Sequence, residues 1–350
     1  MDGADFLIVR LRGREEPLPP AAVPFFMAFL NPYGDSGLAL LRRFSGKWGR
    51  RLWYRWLRWR LPVACGPVDC LGSCGTEAVL PFSCEDLSAY TKEEIRDMLH
   101  RIMMEKGAQN IVVDRYLEPY LEKSLQIDGR MMLLLMADDI LRQVCRKHQI
   151  ARRELNLVIV ASGPSETTWL IRKLGNGLNR LAVVTREPEA YQELAREFFE
   201  EEGLLVRVCA RPLTQELYGN VVIELGGQGK EDCLFYRPGT IVLNLSGNGF
   251  RTVQARTCGR NLTCYNCFLI RAGGQVWDRR ILQAVIFKTS TWMGGGQLQN
   301  SGKIKEKYGL EVQELSKYAR GIELIKKGKR EAKEAAAAGR EQAAQYHSER

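Results

Sequence analysis

Residues 155–185, LNLVIVASGPSETTWLIRKLGNGLNRLAVVT, decide the fold. LNLVIVA (155–161) is a short β-branched run, apolar throughout, as in a strand covered on both faces. SGPSE turns the chain, and a helix follows with Trp169, Leu170, Leu174 and Leu178 as its apolar residues. RLAVVT (180–185) is a second strand of the same kind. A strand, a helix and a parallel neighbour must cross over right-handed, which restricts the topology considerably.

The alternation continues outward. Pro188 opens a helix, EAYQELAREFFEEEG, with Tyr191, Leu194, Ala195 and Phe198 on one face and Gly203 after its end. LLVRVCA (204–210) and VVIELGG (221–227) are a third and a fourth strand. Pro238 and Gly239 announce a fifth, over 240–245. The pattern predicts an α/β fold built on a doubly wound parallel sheet.

This pattern resembles Rossmann-type NAD(P)-binding domains, and more narrowly the amino-acid dehydrogenase-like group of shikimate dehydrogenases and glutamyl-tRNA reductases. The apolar segment 129–150, GRMMLLLMADDILRQVCRKHQI, runs as one long helix into the first strand, as in that group, and TIVLNLSG is similar to its last strand. The resemblance spans about 120 residues and rests on pattern, because the glycine motif is degenerate. Where the family has G-x-G-x-x-G, this chain has Ala161, Gly163 and Glu166. Only the glycine that admits close phosphate approach is kept, and a carboxylate at the third position costs energy beside a pyrophosphate unless it turns away.

By that resemblance the cofactor-binding residues are Ser162, Gly163, Pro164, Ser165 and Thr167 at the first turn. Its hydroxyls and amides make an anion site at a helix N-terminus. Ser165 or Thr167 equally reads as a helix cap. Thr185 and Arg186 follow the second strand, where an arginine suits the 2′-phosphate of NADP, so NADP is favoured over NAD; a solvated loop arginine is the plain alternative. Gly226, Ser246 and Gly247 follow strands four and five on the ligand-binding edge, where the glycines equally serve as turn residues.

Before the sheet, residues 77–150 predict a second, smaller α/β domain. Thr91 and Glu94 form a capping box for a helix over 92–106, with Ile95, Met98, Leu99, Ile102 and Met103 as its stripe. FLIVRLRG, EAVLPF (77–82) and AQNIVVD (108–114) are strand candidates. Residues 251–318 form a Cys- and Gly-containing return segment, with a helix over 277–287 and a glycine-rich stretch at 290–302 that is a ligand loop or a connector.

Composition is that of a globular chain: 350 residues, 45% hydrophobic and 26% charged, which excludes disordered and collagen-like classes. The net charge is +10. Residues 42–60 carry eight basic side chains and no acid; 319–350 carry eight basic and five acidic ones. Together they account for +11, so the rest is near neutral, and basicity belongs to two appendages. In RRFSGKWGRRLWYRWLRWR, Arg51, Arg55 and Arg58 share a helical face, with Trp53 and Trp56 on other sides. Such a segment suits an acidic membrane surface or a protein partner, or simply docks on its own fold; nucleic acid is disfavoured. The tail 319–350 lacks an apolar stripe and reads as a frayed helix or disordered segment. The apolar run 21–30 is too short to span a bilayer and its basic flank comes afterwards, so a cytoplasmic chain, with peripheral membrane contact through 42–60, is expected.

Ten cysteines in such a chain predict thiols. Cys65, Cys70, Cys74 and Cys84 form one cluster and Cys258, Cys264 and Cys267 another. Neither has paired zinc-ribbon spacing, so no metal site is assigned, although two clusters meeting in space would suit zinc or iron–sulfur chemistry. No catalytic residue is assigned. Lys106, Asp114, Asp138 and Asp139 are available acids and bases that nothing distinguishes from surface charges, and the Asn261 glycosylation sequon is discounted. The leading expectation is an NAD(P)-dependent oxidoreductase-like protein with a small or acyl substrate. A non-catalytic Rossmann-like scaffold and a cysteine-based metal or redox protein are the alternatives.

Overall fold

A computed structural model describes residues 5–11, 64–80, 84, 86–108, 110–114, 116–122, 125, 127–178, 180–210, 219–226, 236–246, 262–288, 298 and 300–316. The Trp/Arg-rich stretch 42–60, most of the glycine-rich stretch 290–302 and the tail 319–350 lie outside these residues, as do Gly247, Cys258 and Asn261. The chain divides into two compact units, Met1–Ile127 with Ala284–Thr291 and Asp128–Gln283 with Trp292–Arg350.

In the first unit, β1 (Phe6–Leu11), β2 (Ala64–Cys70), β3 (Ser73–Leu80) and β4 (Ile111–Val113) form a sheet in the order β2-β3-β1-β4. β1 runs parallel to β3 and β4, while β2 and β3 are an antiparallel hairpin. Helix α1 (Lys92–Lys106) begins at the expected capping box: the Glu94 amide donates to Thr91 Oγ1 at 3.2 Å and the Thr91 amide to Glu94 Oε2 at 3.0 Å. Gly107 ends it in the left-handed conformation, φ 62°. Ile95, Leu99, Ile102 and Met103 are buried with Leu7, Val9, Leu80 and Ile111 in one apolar core. Each such side chain contributes about 1.5–3 kcal/mol on leaving water.

In the second unit, β5 (Leu157–Val160), β6 (Arg180–Thr185), β7 (Leu205–Ala210), β8 (Val221–Glu224), β9 (Ile241–Asn244) and β10 (Thr263–Tyr265) form a six-stranded sheet. All neighbours are parallel, in the order β10-β9-β8-β5-β6-β7. Counted along the chain this is 6-5-4-1-2-3, the doubly wound order of Rossmann dinucleotide-binding sheets. The fold is therefore Rossmann-like α/β, with a smaller α/β unit beside it in the chain. β5, β8 and β9 are buried at every position, because strands inside the sheet are covered on both faces. β7 lies at the edge, which explains its Arg207 and the 54% exposure of Leu205.

Helices α4 (Pro164–Gly175) and α5 (Glu189–Glu202) follow β5 and β6 and bury Leu170, Ile171, Leu174, Tyr191 and Phe198. The segment 129–150 is two helices, not one: α2 (Arg130–Leu135) and α3 (Ala137–Lys147), separated at Met136. The break is satisfied from outside the segment, since Lys173 Nζ donates to the Leu135 carbonyl at 2.8 Å. The sixth strand lies beyond the five expected, because three residues are too few to show a strand period. A third sheet, also absent from the sequence reading, joins β11 (Cys267–Ala272), β12 (Gln275–Trp277) and β13 (Glu311–Ser316), all antiparallel, in the order β12-β11-β13. Helices α6 (Arg279–Phe287) and α7 (Ser301–Tyr308) are the remaining α-helices among the described residues, the former matching the helix expected over 277–287.

Candidate functional site

Parallel strands end on one edge, and in an open sheet the ligand crevice lies outside the carboxyl ends where the chain reverses its winding. Here that point falls between β5 and β8. The loop leaving β5 passes Ser162, and the loop leaving β8 passes Gly226 so closely that a Cβ there would stand 2.9 Å from Ser162 Cα and 3.0 Å from the Ala161 carbonyl oxygen. Only glycine permits that approach. The turns that leave β5 and β8 are thus together in space.

The turn itself differs from the sequence reading in one respect. Gly163 is the N-cap residue, Pro164 takes the first helical position, and no side chain caps the helix. Proline suits that position because its missing N–H would be unpaired anyway. Ser165 and Thr167 therefore lie within the helix instead of capping it. Ser162, Pro164 and Ser165 are exposed, whereas Thr167 is fully buried and receives the Tyr191 hydroxyl at 3.4 Å. Gly163 has extended backbone, φ −163°, and nothing lies within 4 Å of the place its Cβ would occupy.

Glu166 does not turn away from this turn. It is 8% exposed, and its Oε2 accepts the Ser162 hydroxyl at 2.5 Å and a guanidinium N–H of Arg130. Arg130 Nη2 also donates to Ser162 Oγ at 2.5 Å. The sequence reading missed Arg130. It is the first residue of α2, held by its own amide, which donates to Asp128 Oδ1 at 2.8 Å. Burial pushes the Asp128 carboxyl above the usual range, opposed by its hydrogen bond from Arg130 and by the nearby guanidinium groups. Gly129 between them has φ 77°, and a Cβ there would lie 2.4 Å from Arg279 Cγ, so this corner also requires glycine. Asp278 and Arg280 are locked in a fork, Nη2 to Oδ2 at 2.9 Å and Nε to Oδ1 at 3.1 Å. Although burial raises the Asp278 carboxyl, the Arg280 charge and hydrogen bonds outweigh it and hold the pKa down at about 2.

Of the remaining residues assigned from the sequence, Thr185 ends β6 buried, its hydroxyl accepting the Glu187 amide at 3.1 Å, and Arg186 beyond it is exposed. Ser246 is buried after β9, donating to Asn244 Oδ1 at 2.6 Å. Asn244 in turn donates to Asn266 Oδ1 at 3.2 Å, and His148 meets the Tyr265 hydroxyl at 2.9 Å. Glu224, 2% exposed, ends β8 in register with Val160 and Asn244. Of the buried polar residues Glu224, Asn244, Ser246 and Asn266, only Ser246 was assigned from the sequence; one polar residue closing an apolar strand, as in VVIE and IVLN, is the signal that marks Glu224 and Asn244.

The candidate acids Asp138 and Asp139 pair with Arg142 of their own helix at 2.9 and 2.5 Å, and Asp139 also pairs with Lys305, which ties α3 to α7. Asp114 holds a turn, accepting the Tyr116 amide at 3.2 Å, and Lys106 lies in the last turn of α1. Cys264 is packed in the apolar cluster around Val158, Val222 and Val242, and no metal-binding group of three or more side chains occurs among the described residues. No described helix is long and apolar enough to cross a membrane.

Set against a dinucleotide, the residues fit in most respects. The space beside Gly163, the Ser162 hydroxyl, the Arg130 guanidinium and the helix N-terminus are what a pyrophosphate requires. The Glu166 carboxylate is the one group out of keeping with it.

No family model matches the chain, and no curated protein does. Similar solved structures include the L-tryptophan dehydrogenase from Nostoc punctiforme, at 14% identity and TM-score 0.32, covering 75% of this chain and 70% of that one. A chorismate mutase/shikimate 5-dehydrogenase fusion protein from Clostridium acetobutylicum is 11% identical, TM-score 0.28, covering 88% and 99%. Shikimate 5-dehydrogenase from Listeria monocytogenes, solved in complex with shikimate and NAD, is 8% identical, TM-score 0.30, covering 87% and 96%. The strand order 6-5-4-1-2-3 is what makes the fold Rossmann-like.

Proposed function

We propose that this chain is an NAD(P)-linked oxidoreductase-like protein acting on a small or acyl substrate. The observation that carries the reading is the contact of Gly226 with Ser162 at the reversal point of a 6-5-4-1-2-3 sheet. In this reading Ser162, Gly163, Pro164 and Ser165 line the pyrophosphate. Thr185 and Arg186 face the adenosine ribose, the exposed guanidinium favouring the 2′-phosphate of NADP over the NAD hydroxyl. Gly226, Ser246 and Gly247 border the nicotinamide half. A bound nicotinamide supplies the hydride chemistry, and the chain's residues bind and orient it. The protein works in the cytoplasm, with the 42–60 segment touching acidic membrane or a protein partner.

The test is thermal unfolding with NADPH, NADP+, NADH and NAD+. A ligand at 100 times its Kd stabilises the folded state by about 2.7 kcal/mol, and so raises Tm by several degrees. Arg186→Ala is expected to reduce the shift with NADPH and leave that with NADH. Absence of any shift with all four nucleotides overturns the reading. A second reading, a Rossmann-like scaffold without cofactor, is favoured by the Glu166–Arg130 pair in the phosphate turn. It predicts no nucleotide shift, together with vesicle or partner binding that Trp53→Ala/Trp56→Ala abolishes.

A further inference from the structure

We propose that Glu166 is a built-in anion that occupies the donors of the phosphate turn, so that a dinucleotide binds only by displacing it; this rests on the dinucleotide reading above. A pyrophosphate at this turn needs a hydroxyl, a guanidinium and the positive end of a helix. Ser162, Arg130 and α4 supply all three, and Glu166 engages two of them with a single oxygen: Ser162 Oγ donates to Oε2 at 2.5 Å, and Arg130 Nη2 to the same atom. Glu166 also sits in the first turn of α4, where a negative charge is favoured by the helix dipole. The side chains of Arg130 and Glu166 are only 21% and 10% exposed, so the pair is little screened by water.

The arrangement sets the affinity of the site. With Glu166 in place, the charge of Arg130 is neutralised and an entering phosphate meets a carboxylate. Removing the negative charge while keeping a hydrogen-bond acceptor for Ser162 frees Arg130 for the ligand. Gly163, where nothing lies within 4 Å of the place a Cβ would occupy, is unaffected by that change.

The experiment is calorimetric titration of the full chain with inorganic pyrophosphate and, separately, with NADPH, for wild type, Glu166→Gln and Glu166→Ser. Both variants are expected to bind pyrophosphate at least tenfold more tightly than wild type, and to bind NADPH more tightly by a similar factor. Adding Arg130→Gln to Glu166→Gln is expected to cancel the gain. Pyrophosphate affinity that is unchanged or weaker in both variants, or undetectable in all three proteins, overturns the proposal. A pyrophosphate gain without NADPH binding upholds the role of Glu166 and refutes the dinucleotide reading. NADPH binding of equal strength in wild type and variants refutes the role of Glu166 and leaves the dinucleotide reading standing. Circular dichroism of each variant confirms the folded state, and the two substitutions of different size keep the result independent of either one's packing.

Discussion

Gly226, after β8, and Ser162, after β5, approach so closely that a single added carbon on the glycine would lie 2.9 Å from the serine Cα. The contact joins the two halves of the winding at the point where they diverge. It is backbone against backbone, so no side chain can swing aside to relieve it.

Gly226→Ala is therefore expected to destabilise the fold by about 1–3 kcal/mol, the usual cost of overpacking a tight site. Gly163→Ala is the contrasting case. Its backbone is extended and its Cβ position open, so stability should change by no more than about 0.5 kcal/mol, while the methyl intrudes where a phosphate would approach. Denaturant unfolding and NADPH titration of the two variants separate the effects: Gly226→Ala lowers stability, Gly163→Ala lowers affinity alone.

Leu71 is a strained residue in the β2–β3 hairpin. Cys70 pairs with Ser73, leaving a two-residue turn in which Leu71 has φ 55° and Gly72 φ 80°. Asp69 Oδ1 takes the Gly72 amide at 3.1 Å. Both turn residues are left-handed, which matches the twist of the strands but penalises a leucine. Leu71→Asn keeps the turn and removes most of the penalty, and is expected to stabilise the protein by about 1 kcal/mol in thermal unfolding. A loss of stability would show that Leu71 contributes more by packing than it costs in backbone strain.

Asp278 should mark the acid side of the stability curve. Its carboxyl pKa in the folded protein is depressed to about 2 from 3.8, so ionised Asp278 stabilises the native state at neutral pH. The contribution is fully present above the unfolded value and is lost as pH falls through the folded one, between about pH 4.5 and pH 1.5. A shift of this size corresponds to about 2 kcal/mol. Asp278→Asn is expected to lose at least that amount at pH 7, because it also strands the Arg280 guanidinium, and to flatten the pH dependence in that window. An unchanged acid slope would remove Asp278 from this role.

The hairpin cysteines should react unequally. Burial pushes the Cys70 thiol up to about 12, with the Asp69 carboxylate adding to the effect, while Cys65 and Cys74 are exposed on the same hairpin. The thiolate is the reactive form, so alkylation at pH 7.5 followed by peptide mass mapping is expected to modify Cys65 and Cys74 while Cys70 waits for unfolding. Early modification of Cys70 would contradict its burial.

The sequence by itself determined the elements whose burial shows as a period. LVIV, VVIE and IVLN have to lie inside a sheet because they offer no polar face to water, and Thr91, Glu94 and Gly107 fix both ends of α1 through local hydrogen bonds and backbone conformation. Tertiary structure alone decided what fills the phosphate turn, because Arg130 reaches Glu166 across 36 residues that carry no periodic trace of the pairing. It likewise decided that Thr263–Tyr265 is a sixth strand and that Glu311–Ser316 joins Cys267–Ala272, since a three-residue strand or a distant, half-exposed one takes its structure from the neighbour that hydrogen-bonds it. Local propensity and pattern decide which face of an element must be buried; which element buries it, and which charge meets which, is settled only when the chain closes on itself.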